Sequence, residues 1–393
     1  MRTTAYSLSE PFSLYLDLAR FLAAVLVVCA HYLQHKVASG GIAYFLPGMG
    51  REAVVIFFVL SGFVIAYTTQ RRAASAGEYV AARFGRIFSV VIPTLILAIF
   101  CSLLLAGLSR AELGYQFARP YVYLPLHLLF LGQSWTLSEV PPLLGAYWSL
   151  CYEVWYYVIF GLAYYLRGWV RGASIGLALA VMGFKLWILL PVWLSGVALF
   201  HLQARYSMPK TIARTGFIAT LLLLGWYNLS NAEAFLRTIG IAAWPFPDLG
   251  LGSAERYLAD YVVAAIVVGN FWCARFVGLA CLNRCGKKIR AAASYTFTLY
   301  LGHMLVLSLW MMFYPHDSTS LMDVLALTLA IVLVTLALGE ITEHRKEKFR
   351  WPVDWLITRF SGRRDVNNPL DDPIALEQGG RKHESSNSSL GKM

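Results

Sequence analysis

Several groups of residues in this chain have types and spacings that could do chemistry. The first is Asp17, Arg20 and His31, all within or beside the apolar run Leu14–Leu33. A hydrocarbon environment penalises ionisable side chains, so such a cluster in one apolar run is a functional-site candidate by default. Arg20 and His31 are eleven positions apart, three helical turns and a small remainder, which puts them on one face roughly 16 Å apart along the axis. A histidine can take a proton as a general base, and an arginine can hold or polarise an oxygen. The plainer alternative is an i, i+3 ion pair between Asp17 and Arg20 plus a hydrogen-bonded core histidine.

A second group is Tyr147-Trp148-Ser149-Leu150-Cys151-Tyr152-Glu153, which opens a later apolar segment. Glu153 lies about two turns in, at a depth expected to match that of His31. A carboxylate beside an imidazole orients the ring and stabilises its charged form. Alternatively, Glu153 pairs with another buried cation, and Trp148, Tyr152, Trp155, Tyr156 and Tyr157 form an interfacial aromatic belt. A third group is the stretch Glu78–Arg86, where Arg83 and Arg86 stand three residues apart at the start of a helix. Such a pair can grip phosphate groups, or can anchor the helix to lipid phosphates. A fourth runs from Ser294 to His303. Tyr300 and His303 are one turn apart on one face there, as site residues or as hydrogen-bonded packing residues.

The elements that must position these residues are membrane helices. The chain is 58% hydrophobic and 14% charged, with a mean hydropathy of +0.58, whereas soluble domains carry about 25% charged residues. Apolar runs recur near 14–34, 53–69, 87–108, 147–166, 173–190, 191–204, 212–230, 257–273, 292–314 and 322–341. At about 20 residues per span, this predicts an all-α polytopic bundle of about ten transmembrane helices. Pro191 is expected to mark a tight turn between the fifth and sixth. Leu124–Leu131 is apolar but too short to span, which suggests an interfacial or re-entrant piece. The first apolar run is too long for a cleavable signal and lacks a small-residue cleavage site.

The net charge of +11 does not point to nucleic acid, because the basic residues alternate between loops as topology signals do. With the N-terminus inside, 25 of the 33 Lys and Arg fall on cytosolic segments and six on outer ones. That bias predicts a multi-pass protein of the cytoplasmic membrane with both termini cytosolic. Residues 1–345 read as the membrane domain and 346–393 as a basic to polar tail, disordered from about 362. The cysteines Cys29, Cys101, Cys151, Cys273, Cys281 and Cys285 are scattered. They suggest neither a disulfide framework nor a metal site.

Taken in order, these motifs resemble the acyltransferase-3 family of integral membrane acyltransferases, over about residues 12–345. The family's Asp-x-x-Arg-x10-His is matched by Asp17, Arg20 and His31. Its Phe-Phe-Val-Leu-Ser-Gly-Phe is Phe57–Phe63, its Arg-x-x-Arg-Ile is Arg83, Arg86 and Ile87, and its Trp-Ser-Leu-x-x-Glu is Trp148–Glu153. The late Tyr-Ser-Leu-Tyr-Leu-x-His is similar to Tyr295–His303. Gly302 before the late histidine, Val154-Trp155 after Glu153, and the late Pro93 depart from the family pattern.

The resemblance implies transfer of an acyl group, often acetyl, from cytosolic acyl-CoA to a hydroxyl of a carbohydrate or lipid-linked glycan. No resident cofactor is implied. It further implies His31 as general base oriented by Glu153, Arg83 and Arg86 on the CoA phosphates, and Arg20 near the thioester. Asp17 and Trp148 would support the site, Tyr300, Ser149 or backbone amides are the candidates for oxyanion stabilisation, and His303 would shape the tunnel. A secondary transporter or flippase of a glycan or lipid precursor is the alternative use of the same buried ionisable residues.

Overall fold

A computed structural model of the protein describes residues 8–72, 75–107 and 119–360, and every regular element in it is helical. The tail from 362, expected to be disordered, lies outside the described residues. The chain opens with α1 (Glu10–Gln34), which starts after Ser9 with Pro11 in its first turn, where a missing N–H is harmless. A short α2 (Gly40–Phe45) leads to α3 (Gly50–Arg72) and the long α4 (Ala76–Gly107). Then come α5 (Pro120–Leu128), α6 (Tyr147–Tyr165), α7 (Gly168–Met182), α8 (Phe184–Arg205) and α9 (Lys210–Leu229). The rest are α10 (Ala232–Ala243), α11 (Tyr257–Val277), α12 (Gly286–Ala293), α13 (Thr296–Phe313), α14 (Leu321–Ile341), α15 (Lys346–Phe349) and α16 (Trp351–Phe360).

Eight helices among the described residues are long and apolar enough to cross a membrane, against the ten spans expected. The helices α6 and α7 are the expected spans outside that set: α7 has only 15 residues, and α6 is rich in tyrosine and carries Glu153. The expected turn at Pro191 is instead at Gly183, whose φ of 80° suits glycine. Pro191 sits inside α8. The apolar piece near 124–131 becomes α5, a helix of nine residues.

The most deeply buried span is the one containing α3, while α9 and α14 lie at the periphery. Contact between α3 and α8 depends on two glycines. A Cβ on Gly62 would run into the Trp193 carbonyl, and one on Gly196 into the Val59 carbonyl. Small residues let helix backbones approach where hydrocarbon offers little hydrophobic drive. Gly196→Val is therefore expected to lower the thermal unfolding temperature of the purified protein, as overpacking typically costs about 1–3 kcal/mol. Gly176→Ala on α7, where a Cβ would meet nothing, should leave it unchanged. Equal melting of the two variants would contradict the packing argument.

The two ends of the bundle differ. At the basic end, α1 and α4 begin and the chain from Gly286 onward folds across them. Arg290 faces Glu10 there at 3.6 Å, and Gly85 of α4 abuts Arg350 and the Lys346 carbonyl. At the opposite end, part of the stretch 129–146 turns inward, burying Phe130, Gln133, Ser134, Leu144 and Ala146, while Trp135 and Leu137 stay exposed. Lys185, placed within a span by its sequence, donates from the first turn of α8 to the Leu137 carbonyl and to Ser138 Oγ. It thereby pins this loop. The indented loop leaves Ala146 and Tyr147 essentially without exposure, so α6 begins inside the protein. Nearby, the buried Arg51 and Asp260 form an ion pair. Arg256 bridges Glu52 and Glu233 beside it at 3.5 and 2.7 Å.

Candidate active site

A cavity of about 220 Å³ enters the bundle from the basic end. Arg20 from α1, Arg83 and Arg86 from α4, Glu153 from α6 and Tyr300 from α13 all line it. Arg83 and Arg86 lie in the second and third turns of α4, so they reach into the protein rather than standing in a surface loop. The Arg83 guanidinium sits 5.9 Å from the Tyr157 ring centre, and its Nε is buried with no hydrogen-bond partner among the described residues. Asp17 and Arg20 pair as their spacing predicts, but only at 3.6 Å. Arg20 thus retains donors that face the cavity.

Glu153 is held by two hydroxyls. Ser61 donates to it at 2.7 Å and Tyr157 donates to the same oxygen. Trp193 Nε1 in turn donates to Ser61 Oγ at 3.2 Å. At the inner end of the cavity the hydroxyls of Ser149 and Tyr300 are 2.5 Å apart. Both also lie 3.3 Å from the Ala146 carbonyl. The two residues named separately as oxyanion candidates therefore form one polar station.

Beyond Tyr300, outside the cavity lining, His31 meets His303. Their nitrogens Nδ1 and Nε2 are 3.0 Å apart, and His303 Nδ1 donates to the Leu299 carbonyl at 2.9 Å. His303 is fully buried and His31 half-buried. The expected contact between Glu153 and His31 is not made: the hydrogen-bonding partner of His31 is His303, and those of Glu153 are Ser61 and Tyr157. The reason is depth. Counting from a surface puts Glu153 level with His31, but α6 starts inside the bundle, where Ser149 is already level with Tyr300. One turn further along α6, Glu153 falls on the arginine side of Tyr300, and His303 lies one turn beyond it the other way. The two are thus separated by about 11 Å along the helices.

Trp148 lies near this station but not in the cavity. The Arg51 guanidinium stacks 4.9 Å over its ring, which ties it to the Arg51–Asp260 pair. Sequence reasoning missed Glu343, in the turn after α14, which lines the cavity and accepts from Thr298 N and Oγ1 at 3.1 Å each. It also gave no separate role to Ser61, the polar member of the Phe57–Phe63 stretch. A small hydroxyl in an otherwise apolar span was the available signal. Glu343 had none, because it follows a peripheral helix in a mixed-charge stretch.

An apolar helical bundle whose interior holds a guanidinium-lined cavity, a hydroxyl station and a histidine pair suits group transfer within a membrane. The sequence profile of the family described as acyltransferase domain, the acyltransferase-3 family, matches residues 13–340, and the chain belongs to that family. It is also 30% identical over 155 residues to an "O-acetyl transferase" of Shigella phage Sf6. That match covers 37% of this chain and 44% of the relative. No solved structure is significantly similar to the chain.

Proposed function

We propose that this protein is a membrane O-acyltransferase that moves an acetyl group from acetyl-CoA to a hydroxyl of a carbohydrate or lipid-linked glycan. The carrying observation is the cavity, which leads from Arg83 and Arg86 past Arg20 to the Ser149–Tyr300 hydroxyls, with the Tyr300 ring 6.4 Å from that of His303, the partner of His31. The basic end faces the cytosol of a cell whose cytoplasmic membrane holds the bundle, as the excess of Lys and Arg there favours. Acyl-CoA is bound as donor substrate, with Arg83 and Arg86 on its phosphates, where guanidinium forks suit bidentate contact. The pantetheine arm runs inward past Arg20, and the thioester carbonyl meets the hydroxyls of Ser149 and Tyr300.

The acceptor enters from the opposite end. His31 removes the proton from its hydroxyl as the oxygen attacks the thioester carbon. Charge that builds on the carbonyl oxygen is met by the hydroxyl station. The C–S bond then breaks, the thiolate leaves as CoA and takes up the proton, and the acetyl ester departs with the acceptor. Glu153 acts on the donor side, within electrostatic reach of Arg83 and Arg86. It keeps the guanidiniums placed and does not orient the base.

The test is transfer of label from radiolabelled acetyl-CoA into a base-labile ester on surface polysaccharide or its lipid-linked precursor, using protein purified in bilayers. Arg86→Ala should raise the KM for acetyl-CoA about 10- to 100-fold, the loss of one or two charge-assisted hydrogen bonds, with a smaller change in kcat. Transport of a glycan precursor without consumption of acetyl-CoA would instead favour the transporter reading.

A further inference from the structure

His303 has no assigned role in the step above beyond its place beside His31. Its ring geometry supplies one. The Leu299 carbonyl can only accept, so the 2.9 Å contact requires a proton on His303 Nδ1. His303 is fully buried, and no carboxylate hydrogen-bonds to it among the described residues. The uncharged ring therefore costs least there. Neutral and protonated on Nδ1, the ring presents its bare Nε2 to His31. The 3.0 Å contact between the rings is then a hydrogen bond that His31 Nδ1–H donates.

We infer that His303 is a positioning residue for the base: it holds His31 in the tautomer that leaves Nε2 free to take the acceptor proton. The relay runs from the Leu299 carbonyl through His303 to His31, and every proton in it is accounted for. When His31 becomes an imidazolium, the new proton sits on Nε2. The existing Nδ1–H bond to His303 then becomes charge-assisted and stronger. This is the task a carboxylate performs in a hydrolase triad, here given to a second imidazole. A neutral partner suits a span where a buried carboxylate would carry its own desolvation cost. Glu153, about two turns away, is thus released for the donor side.

The inference rests on His31 being the base, and the experiment separates the two ideas. His303→Asn keeps a polar group near the Leu299 carbonyl but has no atom that reaches His31. His303→Gln places an acceptor near the position of Nε2. The expected result is a fall in kcat of about 10- to 100-fold in His303→Asn with the KM for acetyl-CoA unchanged, and substantial recovery in His303→Gln. Nitrogen NMR of histidine-labelled protein, with His31 assigned by the signal lost in His31→Gln, should show Nδ1 protonated and Nε2 bare. Wild-type kcat in His303→Asn overturns the inference, as does equal loss in both His303 variants or the reverse proton pattern. High activity in His31→Gln would instead sink the general-base reading itself.

Discussion

His31→Ala is expected to lower kcat for acetyl transfer by about 100- to 10,000-fold, the range for removing a positioned general base, while the protein still inserts and folds. The geometry explains both halves. His31 ends a chain of defined hydrogen bonds and is only half-buried. It contributes little to the core, which is built around Trp193, Tyr147, Tyr152, Tyr156 and Phe63. Binding of acetyl-CoA, measured with a non-transferable analogue, should survive the substitution, because His31 does not line the cavity. Acetyl ester formation at the wild-type rate by purified His31→Ala protein would end the mechanism.

The largest expected effect on stability comes from the Arg51–Asp260 pair, at the end of the bundle away from the basic one. Asp260→Ala should destabilise the protein by about 3–5 kcal/mol, because it leaves the buried Arg51 guanidinium without its carboxylate. Asp260 has 2% of its surface exposed and accepts from both Nε and Nη2 of Arg51. Replacing both partners together, as Arg51→Met with Asp260→Leu, should restore much of the loss, since a matched apolar pair carries no desolvation cost. Thermal unfolding in detergent reads both effects. Similar stability in the single and double variants would show that the charge pair is not what holds this end. Arg51 also stacks on Trp148, so the double variant should retain its fold yet lose some activity through the start of α6.

Much of this architecture is legible in the chain itself. Apolar runs of span length place α1, α3, α4, α8, α9, α11, α13 and α14 close to where they fold, because hydrocarbon admits few alternatives to a closed helix. The Asp17–Arg20 pair and the shared face of Tyr300 and His303 follow from helical spacing alone. Less legible are the elements whose position depends on others. The turn between α7 and α8 falls at Gly183 because only a residue tolerant of positive φ fits the close approach to Trp135 there. A proline inside an apolar run, by contrast, is tolerated within a helix such as α8.

The sequence by itself determined the class of fold, the family and which ionisable residues lie within apolar spans, because these rest on composition, periodicity and the order of motifs. Only the tertiary structure decided who meets whom. Counting residues measures distance along a helix from where it starts, and cannot say that α6 starts inside the protein. That start depends on Lys185 pinning an indented loop 48 residues earlier in the chain. Moved inward, α6 carries Glu153 to the arginines, pairs Ser149 with Tyr300, and leaves His31 to the imidazole of His303.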